Sequence, residues 1–245
     1  MQPYYEQSGV TIYHGDALDL LHDMSAIGAV VTDPPYSSGG AFRGDRMLNT
    51  VSKYVNSDTA VYRPEFAGDT RDQRSFVVWC AMWLNAARKA STPGATLATF
   101  IDWRQLPTMT DAVQCGGWLW RGLATWHKPG IRMQRGRFSA SAEYVVYATN
   151  GDAIDHDGYA QNVFACQPES DKEHIAQKPE AVLQWVLSVV PVGSLVLDPF
   201  MGSGTTLVAA KLRGLRSIGF DVDERYCEIA ARRLQQDSLL TEGIA

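Results

Sequence analysis

The sequence predicts an α/β fold in which a mostly parallel sheet carries helices on both faces. Short apolar runs alternate with helical segments through most of the 245 residues. Two of these runs end on turns that begin with an aspartate and are rich in proline or glycine. Such alternation is typical of parallel sheets, because neighbouring parallel strands need a crossover, which a helix usually supplies.

The amino-terminal segment predicts the first two strands. Val10–His14 and Ile27–Thr32 are short apolar runs, and residues 17–24 between them have the spacing of one short helix. We therefore expect parallel strands joined by a helical crossover, with Asp16 and Asp33 at the same carboxyl edge of the sheet.

The remaining elements follow from the same patterns. Residues 76–90 predict an apolar helix ended by Ser91-Thr92-Pro93-Gly94, and Asp102 is expected to cap a helix that runs to about Cys115. Residues 150–171 are expected to be a polar link with weak structure. Further strands are predicted at residues 95–101, 118–126, 143–149, 194–198 and 217–221, and further helices at 179–190, 205–213 and 224–235.

The tetrad Asp33-Pro34-Pro35-Tyr36 follows the second strand directly. Its prolines make the turn stiff and leave carbonyl oxygens as unpaired acceptors. An exocyclic amino group of a nucleobase is a poor nucleophile, because its lone pair is delocalised into the ring. If Asp33 and the Pro34 carbonyl each accept one N–H, the nitrogen can expose its lone pair, while Tyr36 stacks on the base. Taken alone, the tetrad is equally compatible with a tight loop held by an Asx turn.

A second turn, from Asp198 to Thr206, joins a strand to a helix. Gly202 and Gly204 would let the backbone approach a ligand closely, and Asp221 follows Gly202 by about 20 residues, as expected of an acid that binds a ribose hydroxyl. A phosphate-binding loop would need a lysine here, and a dinucleotide fold would need glycine where Leu207 stands. The remaining alternatives are an adenosine-type ligand without a pyrophosphate, such as S-adenosylmethionine, and a purely structural turn.

In these motifs the chain resembles the amino-methyltransferases of DNA, specifically the circularly permuted β class, in which the Asp-Pro-Pro-Tyr motif precedes the Asp-Pro-Phe-x-Gly-Ser-Gly motif. Residues 174–179 resemble the family's His-x-x-Gln-Lys-Pro segment, and Trp126-His127-Lys128 with Glu143 resembles residues that lie near the target base. The resemblance implies a Rossmann-like, seven-stranded sheet in which the 195–198 strand lies beside Ile27–Thr32.

The resemblance also implies the site residues. Asp16 would approach the adenine of S-adenosylmethionine, Asp221 its ribose, and Phe200, Gly202 and Thr205 its methionine portion, with His174 and Lys178 closing the pocket. The catalytic residues would be Asp33, Pro34, Pro35 and Tyr36. The full expected cofactor set is Asp16, Ala17, Asp33, His174, Lys178, Pro179, Asp198, Pro199, Phe200, Gly202, Ser203, Gly204, Thr205, Asp221 and Val222.

The implied activity is transfer of a methyl group to the exocyclic amino group of a base flipped out of double-stranded DNA. Aspartate in the first position of the tetrad favours adenine N6. Cytosine N4, an RNA or protein substrate, and a noncatalytic nucleic-acid-binding module remain alternatives. A restriction partner, a stand-alone role and a phage-borne enzyme are equally open.

Two segments are expected to recognise DNA, residues 37–74 and 129–172, within one catalytic domain that spans residues 1–245. The first interleaves basic and aromatic residues, and residues 112–142 contain no Asp or Glu. A local basic strip can therefore contact phosphates although the net charge is −5. The expected DNA contacts are Arg43, Arg46, Lys53, Lys128, Arg132, Arg135 and Arg137.

The sequence predicts a cytoplasmic protein, and the resemblance implies a bacterium or a phage as its source. No apolar run approaches bilayer length, and the amino terminus lacks the features of a secretory signal, so we expect no membrane partner. The four cysteines are scattered without metal-ligand spacing, which favours reduced thiols and no metal site. The oligomeric state stays open, with a homodimer as one alternative.

Overall fold

A nine-stranded sheet forms the centre of the computed structural model, which describes residues 2–37, 71–133, 135–168 and 178–242. In chain order the strands are β1 Tyr5–Gln7, β2 Val10–His14, β3 Ile27–Thr32, β4 Ser91–Ile101, β5 Leu119–His127, β6 Ala142–Thr149, β7 Val163–Ala165, β8 Leu195–Asp198 and β9 Arg216–Asp221. Their spatial order is β1-β2-β9-β8-β3-β4-β6-β5-β7.

The predicted fold class is confirmed. From β2 to β4 the sheet is parallel throughout, whereas β6 runs antiparallel to both β4 and β5. The seven inner strands match the number implied by the resemblance, and the two three-residue strands β1 and β7 extend the sheet at its edges. Strand β8 pairs with β3, as expected.

Helices cover both faces of this sheet. Alternate residues of β3 belong to different cores, because side chains of a strand point to opposite faces in turn: Val30 packs in one core, Ala29 and Val31 in the other. The helices are α1 Ala17–Leu20, α2 Gln73–Ala90, α3 Leu106–Cys115, α4 Glu180–Leu187, α5 Thr205–Leu212 and α6 Glu224–Glu242. Helices α1, α2 and α3 contribute to the first core, α4 and α5 to the second.

Several element boundaries differ from the prediction. The expected helix at 17–24 ends at Leu20 and continues as a 3-10 turn, Leu21–Asp23. Strand β4 includes the stretch Ser91–Gly94, which we expected to be a stop, because Ser91 pairs with Ile27 and the Gly94 N–H donates to the Asn150 carbonyl, 2.7 Å. Long-range pairing thus overrides a local turn signal.

The remaining differences concern caps, the 150–171 link and one helix end. The Asp102 carboxylate accepts the N–H groups of Arg104 and Gln105, so it caps the turn that precedes α3 and not the helix itself. The expected link of weak structure contains the short strand β7. Helix α6 extends beyond the predicted end at residue 235. No helix among the described residues is both long enough and apolar enough to cross a membrane.

Candidate active site

Two aspartate-bearing turns lie side by side at the carboxyl edge of the sheet. Strands β3 and β8 are parallel neighbours, so the chain leaves both of them at the same edge. The Thr32 hydroxyl, at the end of β3, donates to Asp198 Oδ1 over 2.7 Å, at the end of β8. The tetrad at 33–36 and the turn that begins at Asp198 therefore meet, although the bonded residues are 166 positions apart in the chain.

Asp33 engages both of its carboxylate oxygens. Its Oδ1 accepts a hydrogen bond from the Tyr36 hydroxyl, 2.5 Å, and its Oδ2 forms an ion pair with the Lys178 ammonium. Pro34 and Pro35 form the turn that brings Tyr36 back to Asp33. The Asp33 carboxylate is thus held from two directions before any ligand is present.

The ion pair extends into a chain of four charges that comes from four parts of the fold. Lys178 Nζ, which follows the segment 174–177 and precedes α4, lies 3.3 Å from Glu143 Oε2 on β6. Glu143 Oε1 pairs in turn with Lys128, just after β5. The order of contacts is Asp33, Lys178, Glu143, Lys128, and we call this set the charge chain. Its two carboxylates and two ammonium groups balance at neutral pH.

Burial and charge act against each other within the charge chain. Burial raises the pKa of Asp33, although the ammonium of Lys178 acts to lower it. Burial also acts to raise the pKa of Glu143, but Lys178 and Lys128 outweigh it and lower this pKa to about 2. The same two carboxylates raise the pKa of Lys178 in spite of its burial. Glu143 and Lys178 are therefore kept charged by their neighbours, whereas at Asp33 burial outweighs the effect of the lysine.

Asp198 and Asp221 form a contrasting pair. Asp198 Oδ1 accepts the Phe200 N–H, 3.1 Å, in addition to the Thr32 hydroxyl, and Asp221 accepts the N–H groups of Gly202, 3.0 Å, and Asp223, 2.9 Å. In the part of the chain that the structure describes, neither forms an ion pair with a Lys or Arg. Burial raises the pKa of Asp198 to about 6 and that of Asp221 to about 7.

The fourth aspartate of this edge, Asp16, lies just after the end of β2. Its Oδ1 accepts the Leu18 N–H, 2.8 Å, as the N-cap of α1, whose first residue, Ala17, is buried. Strand β2 pairs with β9, and the Gly15 N–H donates to the Asp221 carbonyl, 2.9 Å. Val222 is 54% exposed beside them. The ends of β2, β8 and β9 thus bring Asp16, Asp198 and Asp221 to one edge.

Some residues of the glycine-rich turn contact this edge of the sheet, and others contact helix α6. The backbone N–H of Gly202 faces Asp221, and the ring of Phe200 packs between Trp79 and Trp83, with centroids 5.2 Å from each. Pro199 lies between Asp198 and Phe200. The other three residues of the turn face α6: Arg233 donates to Ser203 and Thr205, and a Cβ on Gly204 would lie 2.7 Å from that of Ala230.

Gly204 therefore serves a different purpose from the one that we expected. It has a φ of 79° as the N-cap of α5, and its missing side chain makes room for α6. Gly202 has a φ of 52°, and close approach of the backbone to a ligand stays a prediction for both glycines. The sequence indicated that both positions need glycine but could not say which neighbour requires it.

Lys178 and Lys128 are placed differently from their expected partners. We predicted Lys178 at the cofactor and Lys128 at DNA phosphates, and the structure brings both to the charge chain beside Asp33. Pro179 is the N-cap of α4, immediately after Lys178. No local pattern linked Lys178 to Asp33, because they are 145 positions apart. The expected residues Arg43, Arg46, Lys53 and His174 lie outside the described residues.

A basic loop, residues 128–141, projects from the same edge. It starts and closes beside the charge chain, since the Lys128 N–H donates to the Ser141 carbonyl over 2.8 Å. Two of its apolar side chains are exposed to solvent, Met133 to 89% and Phe138 completely. The predicted DNA contacts Arg132, Arg135 and Arg137 are exposed on this loop.

Within the described residues, no group of His, Cys, Asp and Glu could hold a metal ion. The chemistry that the site offers is that of a charge-balanced carboxylate beside two carboxylates without a cation. The first can orient a hydrogen-bond donor, and the second pair can attract a positive charge.

The sequence matches a known protein family. Residues 27–232 match the N6_N4_Mtase family, described as DNA methylase. The type II methyltransferase M.ScaI of Streptomyces caespitosus is 24% identical over 97% of this chain and 85% of that protein.

Solved structures agree on the fold. The crystal structure of the M1.HpyAVI–SAM complex superposes with a TM-score of 0.67 at 22% identity, over 92% of this chain and 98% of that one. The cytosine-N4-specific PvuII DNA methyltransferase superposes with a TM-score of 0.73 at 16% identity, over 94% of this chain and 88% of that one. The family match spans most of the sequence and includes both aspartate-bearing turns, and the chain therefore belongs to the N6_N4_Mtase family of DNA methylases.

Proposed function

We propose that this protein transfers a methyl group from S-adenosylmethionine to the exocyclic amino group of a base flipped out of duplex DNA, with adenine N6 as the acceptor. The observation that carries the proposal is the placement of Asp33, which has an ammonium partner, beside Asp198, which in turn lies near Asp221 and, like it, has no ammonium or guanidinium partner among the described residues. One carboxylate orients an acceptor nitrogen, and the other two favour a cationic donor at the neighbouring strand ends.

Asp33 acts on the acceptor through its Oδ1. This oxygen accepts a donor already, the Tyr36 hydroxyl, and an amino N–H of the base takes the place of that hydroxyl. The Pro34 carbonyl accepts the second amino hydrogen. It is available as an acceptor because the prolines of this turn have no backbone N–H. With both hydrogens held, the nitrogen would direct its lone pair at the methyl carbon, and the C–S bond would break with its electron pair left on sulfur as the N–C bond forms. Asp33 would stabilise the positive charge that develops on the nitrogen, which then loses one proton to water.

The described residues fit the cofactor. S-adenosylmethionine supplies an electrophilic methyl group on a positively charged sulfur. Asp221 would hold the ribose hydroxyls, Asp16 would bind on the adenine side, and Asp198 would add negative potential near the sulfonium. Because neither Asp198 nor Asp221 has an ammonium or guanidinium partner among the described residues, a bound cation would complete their electrostatic environment.

DNA reaches the site along the basic loop. The loop is anchored at Lys128 and Ser141, next to Glu143, so its arginines contact phosphates around the base that enters. The base has to leave the duplex because its amino group is otherwise paired and stacked. Arg132, Arg135 and Arg137 provide attraction that does not depend on sequence.

The choice of adenine rests on the aspartate at position 33. The fold does not separate the two acceptors, since a cytosine-N4-specific enzyme superposes well on this chain. The test is incubation with S-adenosylmethionine labelled in its methyl group, in parallel with duplex DNA, RNA and protein, followed by mass spectrometry of the nucleosides. We expect N6-methyladenine from duplex DNA. N4-methylcytosine without methyladenine would overturn the acceptor, and label in RNA or protein alone would overturn the substrate.

A further inference from the structure

On electrostatic grounds alone, the contact between Lys178 and Asp33 is unfavourable for the proposed reaction. A lysine in contact with the catalytic carboxylate partly cancels the negative potential that a developing cation on the base nitrogen needs. Yet Lys178 is buried, 8% exposed, directly against Asp33 and above the rings of Tyr36 and Phe100, each with its centroid 5.4 Å away. Glu143, on the far side of Lys178, offsets the charge of this lysine and is itself paired with Lys128.

We propose that Lys178 and Glu143 are positioning residues for Asp33: Glu143 fixes and neutralises the Lys178 ammonium, which ties down Asp33 Oδ2 and leaves Oδ1 to exchange the Tyr36 hydroxyl for an amino N–H of the base. This inference rests on the proposed function and assigns Lys178 to the acceptor carboxylate instead of the cofactor.

The geometry of the contacts supports each part of this role. Lys178 lies between the two carboxylates, with Asp33 Oδ2 in ion-pair contact on one side and Glu143 Oε2 at 3.3 Å on the other. Glu143 is itself anchored through its other oxygen by Lys128, so it cannot follow Lys178 if the lysine moves. An ammonium held from two sides fixes the rotation of the Asp33 carboxylate and hence the direction of Oδ1.

The Tyr36 hydroxyl occupies the hydrogen-bonding position on Asp33 that the amino group of the base would take. It donates to the same oxygen that the amino group needs, so the buried carboxylate keeps a donor while the site is empty. When the base displaces the hydroxyl, one donor replaces another and the Asp33 carboxylate is not left with an unsatisfied oxygen. Oδ2 stays with Lys178 throughout the exchange.

Removal of Lys178 should shift the pH dependence of methyl transfer in one direction, and removal of Glu143 should shift it in the other. The groups around Asp33 are Tyr36 in its own turn, Lys178 before α4, Glu143 on β6 with Lys128 behind it, Asp102 after β4 and Asp198 after β8. Among these, Lys178 lowers the pKa of Asp33 and Glu143 raises it. Methyl transfer requires ionised Asp33, so its acid limb follows this pKa.

The experiment compares Glu143→Gln, Lys178→Met, Lys178→Arg and the double variant Glu143→Gln/Lys178→Met. We expect Glu143→Gln to move the acid limb of kcat to lower pH and Lys178→Met to move it to higher pH. Both should lower kcat by about ten- to a hundredfold, the range known for residues that orient metal ligands, with the KM for S-adenosylmethionine nearly unchanged. Lys178→Arg should keep the limb near its original pH, and the double variant should bring it back towards that value.

The matched control is Glu228→Gln on α6, an exposed carboxylate that pairs with Arg232 and should leave the profile unchanged. The proposal would be overturned if Lys178→Met and Glu143→Gln lost activity but their acid limbs did not move in opposite directions. A merely structural role would leave the acid limb of both variants where it is. An increase in the KM for S-adenosylmethionine as the main effect of Lys178→Met would overturn it too, in favour of a cofactor contact.

A second readout does not depend on catalysis. The ¹³C carboxylate signal of Asp33, assigned by its loss in Asp33→Asn, can be titrated in the DNA-free protein of each variant. The titration should shift in the same opposite directions, and coincident titrations would contradict the inference. If the unaltered protein methylates no nucleic acid, the proposed function fails while this titration still tests the coupling of the three groups.

Discussion

Asp33 and Asp221 are both half-buried aspartates at the carboxyl edge of one sheet, but their charges are balanced in different ways. Asp33 has an ammonium against one oxygen and a hydroxyl on the other. Asp221 has backbone N–H groups from Gly202 and Asp223, without a Lys or Arg partner in the described part of the chain. The proposed function would account for this difference: a carboxylate that orients a neutral base would have its own counter-ion, and one that lies near a cationic ligand would not need one.

The difference shows in the pKa values of the two regions. Burial raises the pKa of Asp221 to about 7, which places its ionisation near neutral pH. Glu143, in the region of Asp33, has its pKa lowered to about 2 by two lysines in spite of burial. A carboxyl group is thus held ionised in one region, whereas a carboxyl group in the other region changes its charge near neutral pH.

The strongest way to separate the two regions is to remove the carboxylate of Asp33. Asp33→Ala should lower methyl transfer by at least about 10²- to 10³-fold, the loss typical of a preorganised electrostatic contact, because no group then orients the acceptor nitrogen. Calorimetry should show affinity for S-adenosylmethionine within about threefold of the original protein. Turnover equal to that of the unaltered protein would exclude the role of Asp33.

Asp221→Ala should produce the reverse pattern. Affinity for S-adenosylmethionine should fall by about 10- to 100-fold, the equivalent of one charge-assisted hydrogen bond, while kcat at saturating cofactor changes little. Calorimetry measures the affinity, and Asp111→Asn, an exposed aspartate on α3, is the control. An affinity equal to that of the control would contradict the ribose contact.

A pH series sharpens the comparison further. Protonation neutralises Asp221 as the pH falls through about 7 and Asp198 as it falls through about 6. The folded pKa of each carboxylate is raised, so the ionised form that attracts a cation is present above these values and is lost below them. We expect affinity for S-adenosylmethionine to weaken by about tenfold between pH 8 and pH 5.5. A flat profile would show that these carboxylates do not face the positive charge of the ligand.

The smallest effect should come from the basic loop, which lies outside both carboxylate regions. Each of Arg132→Gln, Arg135→Gln and Arg137→Gln should weaken duplex binding by a few fold and reduce the salt dependence by about one phosphate contact. Binding of S-adenosylmethionine should be unchanged. A salt dependence that matches the unaltered protein would mean that these arginines do not contact phosphates. Fluorescence anisotropy across a salt series provides the measurement.

Much of this architecture was predictable because the relevant signals are local. The apolar run Ile27–Thr32 before two prolines predicts a strand that stops at Asp33, and Gly202 with Asp221 predicts a ligand-binding turn and its partner at the next strand end. The boundaries that failed, such as the start of β4 at Ser91, are those where pairing with a distant strand outweighs the local turn signal.

The sequence by itself determined the alternation of strands and helices, the two aspartate-bearing turns and the family to which they point. These properties depend on neighbouring residues, whose backbone preferences and periodicity act over a few positions. Only the tertiary structure decided that Lys178 and Glu143 meet at Asp33 and that Gly204 makes room for Ala230. Those contacts join residues far apart in the chain, and the order in which the strands pair is what brings them together.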